Sequence, residues 1–298
     1  MRKIVICIIA CIFLTSFLAN ISVYAEKEEI NYSRIYIEKR PIVPVLTENG
    51  VEWEINSNSY NGPIEKPGNG KGKPSKPPKP PQDPEDPPDG TINKWALCIG
   101  ISDYEGSGND LDYCDDDAED WKSFLNGQGY AVTILKDGQA TAENIEAKIN
   151  DLLSDEDGDD YVVFTYSGHG IKYKKHGSCM ISTDLYLIPH KWFKSKFENA
   201  DSPHIFFTFD ACQIGGFQDS VTTNRIGAYG STNQYSWEDS ELENGVFTYY
   251  QIEGWETYDN FEEDSIYAIQ GMEDWASQYY GLTVDPFYVD SYAGDMNP

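Results

Sequence analysis

From residue 91 onward the sequence predicts an α/β domain with a mostly parallel central sheet flanked by helices. Short apolar runs alternate there with amphipathic stretches of helical length, the pattern of βα units laid on a parallel sheet. The runs YVVFTY and HIFFTF also pass straight into the glycine-containing loops SGHG and DACQIGG, and no internal repeat breaks the pattern.

Strands are expected at 95–101, 130–135, 161–166 and 204–209, with 225–230 a weaker fifth. Helices are expected at 116–126, 141–153 and 191–199, with another over 245–254 and one beginning near Asp259. The second helix has the clearest start. Thr141 is a good N-cap, Glu143 follows at once, and Ile145, Ile149, Leu152 and Leu153 fall near one face.

Upstream of the domain, Arg2 and Lys3 precede the apolar run IVICIIACIFLTSFL, which leads to the small-residue site at Val23, Tyr24 and Ala25. Basic, then apolar, then small is the order of a secretory signal peptide, expected over 1–25. The run is shorter than the roughly 20 apolar residues of a membrane span. Residues 26–61 form a short N-terminal region, a propeptide or a packed extension, too short to bury a core of its own. Residues 62–90 contain KPGNGKGKPSKPPKPPQDPEDPPDG, whose prolines exclude helix and sheet and favour polyproline II; this is a linker. The domain then occupies 91–298, and the expected location is secreted or at the cell surface.

The formal net charge is −28, which removes nucleic acid from the expected partners. Of six cysteines, Cys7 and Cys11 lie in the leader, and Cys98, Cys114, Cys179 and Cys212 remain. Four in so long a chain are not a disulfide framework. Cys98, inside an apolar run, reads as a buried small hydrophobe.

Catalytic groups of an open parallel sheet gather beyond the carboxyl ends of its strands. Two loops stand out there, Ser167-Gly168-His169-Gly170 and Asp210-Ala211-Cys212-Gln213-Ile214-Gly215-Gly216. If their strands are neighbours, a thiol and an imidazole emerge side by side, and the thiol can hand over its proton. The flanking glycines let backbone approach a substrate and leave N–H groups to donate to an oxyanion.

The segments ALCIGISDY, LDYCDDDA, YSGHG, DAC with two glycines soon after, and NGVFTYY stand in this order over roughly 200 residues. Together they resemble the caspase-like cysteine peptidases, in particular the metacaspases and their prokaryotic relatives. The resemblance implies a caspase-like fold and a cysteine endopeptidase in which His169 and Cys212 form the dyad. It implies an oxyanion hole from the backbone N–H groups of Gly170 and Cys212. It further implies an acidic pocket for Arg or Lys at the P1 position of a peptide or protein substrate, lined by Cys114, Asp117, Ser167 and Asp210. Asp210 stands where true caspases carry Gln, and the following glycines come at a different spacing, which points away from true caspases.

No cofactor is required for this chemistry. Calcium enters as a candidate activator, because Asp184 and Asp219 fall near acidic positions of the family, although their spacing differs. The run 155–160 lacks the register of a calcium loop and reads as a solvated turn. No third residue is readable as an orienter of His169. Trp237, Glu238 and Ser240 follow the fifth strand, where the family lines its substrate cleft. Lys172, Lys174, Lys175 and Arg225 are the candidates for self-cleavage. The alternative reading is a caspase-fold binding or cell-surface interaction module with little catalysis, motivated by Gln213 and Ile214 after the cysteine, where relatives often carry His and Ser.

Overall fold

A computed structural model describes residues 42–47, 50–55, 88–105, 109–173, 176–255 and 257–297. The expected leader, and the linker up to residue 87, lie outside the described residues. The chain forms two compact units, one of residues 1–43 with 54–66 and one of residues 44–53 with 67–298. Of the first, the described residues are the outer ends of β1 (Ile42–Thr47) and β2 (Gly50–Ile55). The second holds the α/β domain.

Its main sheet has six strands in the order β13-β10-β9-β5-β3-β4. These are β3 (Lys94–Gly100), β4 (Ala131–Lys136), β5 (Tyr161–Ser167), β9 (His204–Asp210), β10 (Arg225–Tyr229) and β13 (Phe287–Asp290). All neighbours pair in parallel except β13, which runs antiparallel to β10. The inner strands are continuous apolar runs because helices cover both faces. Period-2 alternation sorts their side chains. On β9, Phe206 stacks on Phe261 at 4.0 Å, whereas Phe207 and Phe209 meet Phe193 at 5.4 and 5.6 Å.

Among the described residues five α-helices flank the sheet: α1 (Cys114–Gly127), α2 (Ala142–Asp155), α3 (His190–Phe197), α4 (Val246–Gly254) and α5 (Phe261–Trp275). Ala118, Trp121 and Leu125 of α1, Val246 and Phe247 of α4, and Phe261, Ala268 and Met272 of α5 share one core with Cys98, Val163 and Phe206. At the start of α2 the Thr141 hydroxyl accepts Asn144 N–H at 3.2 Å. Thr141→Ala is expected to lower stability by about 1 kcal/mol, read as a shifted urea midpoint at unchanged slope.

A smaller sheet, in the order β2-β1-β8-β7-β6, contains the antiparallel β6 (Gly170–Tyr173), β7 (Gly177–Ile181) and β8 (Leu187–Pro189). In β1, Val45 stands opposite Leu187 in parallel register. A two-residue antiparallel pair, β11 (Glu238–Asp239) with β12 (Asn244–Gly245), sets Glu238 opposite Gly245.

Two expectations are corrected. The acidic run is not a solvated turn: Asp160 is buried and accepts from Asn93 N–H at 2.6 Å and the Trp95 indole at 2.8 Å. Glu156 is likewise buried and accepts the N–H groups of Asp201 and Ser202. Both therefore close loops whose backbone donors would otherwise be unpaired. Arg225 is not in an exposed loop. It lies in β10, with its guanidinium donating to the carbonyls of Phe197 (2.6 Å) and Ser220 (3.2 Å), out of a peptidase's reach.

Candidate active site

β5 and β9 are direct neighbours, and Ser167 stands opposite Asp210 at their carboxyl ends. His169 and Cys212 therefore leave adjacent strands, each two residues beyond that pair. The loops touch through their backbones. A Cβ built on Gly170 would lie 2.1 Å from the Cys212 carbonyl oxygen and 3.1 Å from its nitrogen, so only glycine permits the approach.

His169 is buried beneath Tyr104, whose ring centroid lies 4.6 Å away and whose hydroxyl accepts His169 N–H at 2.8 Å. Its Nε2 lies 2.7 Å from the carbonyl oxygen of Asn109 and donates to it. A carbonyl can only accept, so this contact fixes the tautomer and leaves Nδ1 as the ring's proton acceptor. Burial lowers the His169 pKa to about 4, keeping the imidazole neutral, while the Asn109 bond pulls the other way. Asn109 is thus the orienter that sequence reasoning missed. A main-chain acceptor leaves no side-chain signature.

Cys212 is half-buried, with Sγ 3.8 Å from the Ser236 carbonyl. Cys98, Cys114 and Cys179 are free and buried, and burial raises the pKa of each. Among the described cysteines, Cys212 is the one partly open to solvent. After it, Gln213 adopts a left-handed backbone with φ +54°.

The residues expected to line an acidic pocket come together. The Asp117 carboxylate accepts the Ser167 hydroxyl, Asn244 Nδ2 at 3.0 Å and Gly245 N–H at 2.8 Å. Asp210 accepts the Ser236 hydroxyl and Thr248 N–H at 2.9 Å. A Cβ on Gly245 would lie 2.4 Å from Asp210 Oδ2 and 2.6 Å from Asp117 Oδ2, so the two carboxylates converge on this glycine. Burial, and then the charge of Asp210, raises Asp117 well above the carboxylate range. Burial pushes Asp210 up to about 6 against its hydrogen bonds. Two carboxylates desolvated together cannot both ionise cheaply.

Cys114 Sγ donates to Glu238 Oε1 at 3.2 Å, and Glu238 also accepts Tyr113 N–H (2.8 Å) and Asp112 N–H (3.2 Å). α1 has no side-chain cap of its own, so Glu238 supplies one from β11 and brings a third acidic group to the pocket rim. Trp237 donates no side-chain bond here; its carbonyl accepts Val246 N–H at the start of α4.

Asp184 and Asp219 have separate duties. Asp184 accepts Ala142 N–H (3.0 Å) and the Ser182 hydroxyl (2.6 Å) at the start of α2. Asp219 lies 3.2 Å from His190 Nδ1. The two carboxylates thus have different protein partners, the start of α2 for Asp184 and His190 for Asp219.

The caspase-domain family profile matches residues 93–269. Curated relatives include metacaspase-1 of Meyerozyma guilliermondii and of Debaryomyces hansenii, each 40% identical over 87 residues, and metacaspase-4 of Arabidopsis thaliana, 27% identical over 172 residues. These alignments cover 26%, 26% and 51% of this chain and 21%, 20% and 40% of the respective relatives. The chain thus spans well under half the length of the curated relatives it matches. Among solved structures, a Geobacter sulfurreducens protein superposes with a TM-score of 0.52 at 16% identity, over 69% of this chain and 97% of that one.

Proposed function

The chain belongs to the caspase-domain family, and from that premise we propose that it is an exported cysteine endopeptidase cleaving after Arg or Lys. The observation that carries the chemistry is the in-register pairing of β5 with β9, which brings the loops of His169 and Cys212 against each other. Neutral His169, its Nε2–H given to Asn109, takes the Cys212 proton at Nδ1. The thiolate attacks the carbonyl after the basic residue, and the oxyanion is held by the N–H groups of Gly170 and Cys212. His169 returns its proton to the leaving amine, and water then releases the acyl group.

Asp117 and Asp210, with Ser167 and Cys114, supply the cationic P1 preference through charge-assisted hydrogen bonds. Export rests on the basic, apolar and small residues of 1–25. The test is hydrolysis of matched peptides with Arg, Lys or Asp at P1; preference for Asp would overturn the pocket assignment.

A pH dependence follows. In the free enzyme Asp210 is protonated below about pH 6, whereas His169, at about 4, is already neutral there. The kcat/KM on Arg and Lys peptides is expected to rise through about pH 6 to a plateau. In Asp210→Asn that limb should disappear from the residual activity. A limb unchanged by the substitution would remove Asp210 from the pocket.

A further inference from the structure

The backbone N–H, the carbonyl and the Oε1 of Gln213, the residue after the candidate nucleophile, are all held. Its N–H donates to the Gln234 carbonyl at 2.9 Å, its carbonyl accepts the Ser178 hydroxyl at 2.7 Å, and its Oε1 accepts Lys172 N–H at 2.9 Å. Lys172 and Ser178 are cross-strand partners in the β6–β7 hairpin, so one strand pair grips Gln213 at two points. The same Ser178 oxygen accepts Gly216 N–H at 2.9 Å. A single buried hydroxyl thus donates to one end of the 213–216 turn and accepts from the other, using both capacities of its oxygen.

A non-glycine residue at φ +54° persists only where its surroundings over-determine it. The clamp supplies that determination. It also ties together the two halves of the chemistry, because β6 begins at Gly170, directly after His169.

We propose that Ser178 and Gln213 are positioning residues that clamp the Cys212 turn to the β6–β7 hairpin and so fix the nucleophile against His169 and Gly170. The assignment rests on the peptidase reading for its kinetic consequence but not for its chemical one. Without the clamp, Gln213 can relax out of its left-handed conformation, swinging the Cys212 N–H and thiol away from their partners. Ground-state recognition at Asp117 and Asp210 is untouched, since no clamp bond involves them.

The full chain is compared with Ser178→Ala, which loses both bonds of the hydroxyl, Gln213→Ala, which loses the side-chain bond, and Gln213→Glu, which keeps the Oε1 acceptor. Folding is checked by circular dichroism, and the more exposed Gln213 variant serves if Ser178→Ala does not fold. Both alanine variants are expected to lose kcat by roughly 10- to 100-fold with KM within about twofold, and Gln213→Glu to recover most of the loss. The second readout is alkylation of Cys212 by iodoacetamide against pH, with Cys212→Ala as blank. Its midpoint should move by about half a pH unit or more in Ser178→Ala, as thiolate stabilisation is lost. Unchanged kcat in the folded variants, or a loss confined to KM, would overturn the clamp, as would an unchanged alkylation midpoint. If the wild type cleaves no peptide while the midpoint still moves, the clamp stands and the peptidase reading falls.

Discussion

Cys212→Ala should abolish hydrolysis of Arg and Lys peptides, and His169→Ala should reduce kcat/KM by roughly 10²- to 10⁴-fold, the range of a positioned general base. The thiol has no substitute among the described residues, because Cys98, Cys114 and Cys179 are buried and their pKa values raised. The loss in His169→Ala should shrink as pH rises and the thiol ionises unaided. In the parent, a His169 pKa near 4 means the base is available throughout the neutral range. Such a histidine is held neutral by burial, so it contributes stability above its unfolded value near 6.5 that is lost as pH falls towards 4. Acid unfolding should therefore shift to lower pH in His169→Ala. Peptide cleavage that survives in Cys212→Ala would end the assignment of Cys212 as the nucleophile.

Gly245→Ala should carry the second large effect, this time on recognition. The added methyl would meet carboxylate oxygens of both Asp210 and Asp117, at 2.4 and 2.6 Å, and on the proposed reading it fills the space of the P1 cation. Losing a buried partner for that cation costs about 2 to 5 kcal/mol. At about 1.4 kcal/mol per decade, kcat/KM on basic substrates should fall roughly 30- to several-thousand-fold. Cys212 alkylation should change little.

Asp210→Asn separates recognition from stability. A carboxyl raised to about 6 in the folded state destabilises the protein as pH climbs from its unfolded value near 4 to 6, and the cost persists above. The asparagine variant should therefore melt higher than the parent at pH 7 while losing activity, as happens where a site is held at the expense of stability. A lower melting temperature at pH 7 would contradict this account of the pocket.

The inner strands of the main sheet were legible because burial on both faces writes them as largely apolar runs, as in 161–166 and 204–209. Thr141 announced α2 through its cap. The β6–β7 hairpin was not legible, since IKYKK reads as a charged loop and its pairing depends on Gly170 meeting Cys212. The antiparallel β13 was missed because it is only four residues long and all four are at least partly exposed. At the candidate site, side chains that carry chemistry signal themselves, but their supports do not. The Asn109 carbonyl has no residue-type signature, and Glu238 reaches α1 across more than a hundred residues of sequence. Glu156 and Asp160 looked like solvated acids because nothing in a charge run tells which carboxylates will cap buried N–H groups.

β5 and β9 each spend their last residue, Ser167 or Asp210, on the acidic pocket, and two positions later carry His169 or Cys212. On the proposed reading, selectivity and turnover are consequently mounted on the same pair of rails. Ser167 and Asp210 each stand two residues from a member of the candidate dyad. Asn244 and Gly245, which reach the pocket from β12 at the head of α4, offer the independent handle.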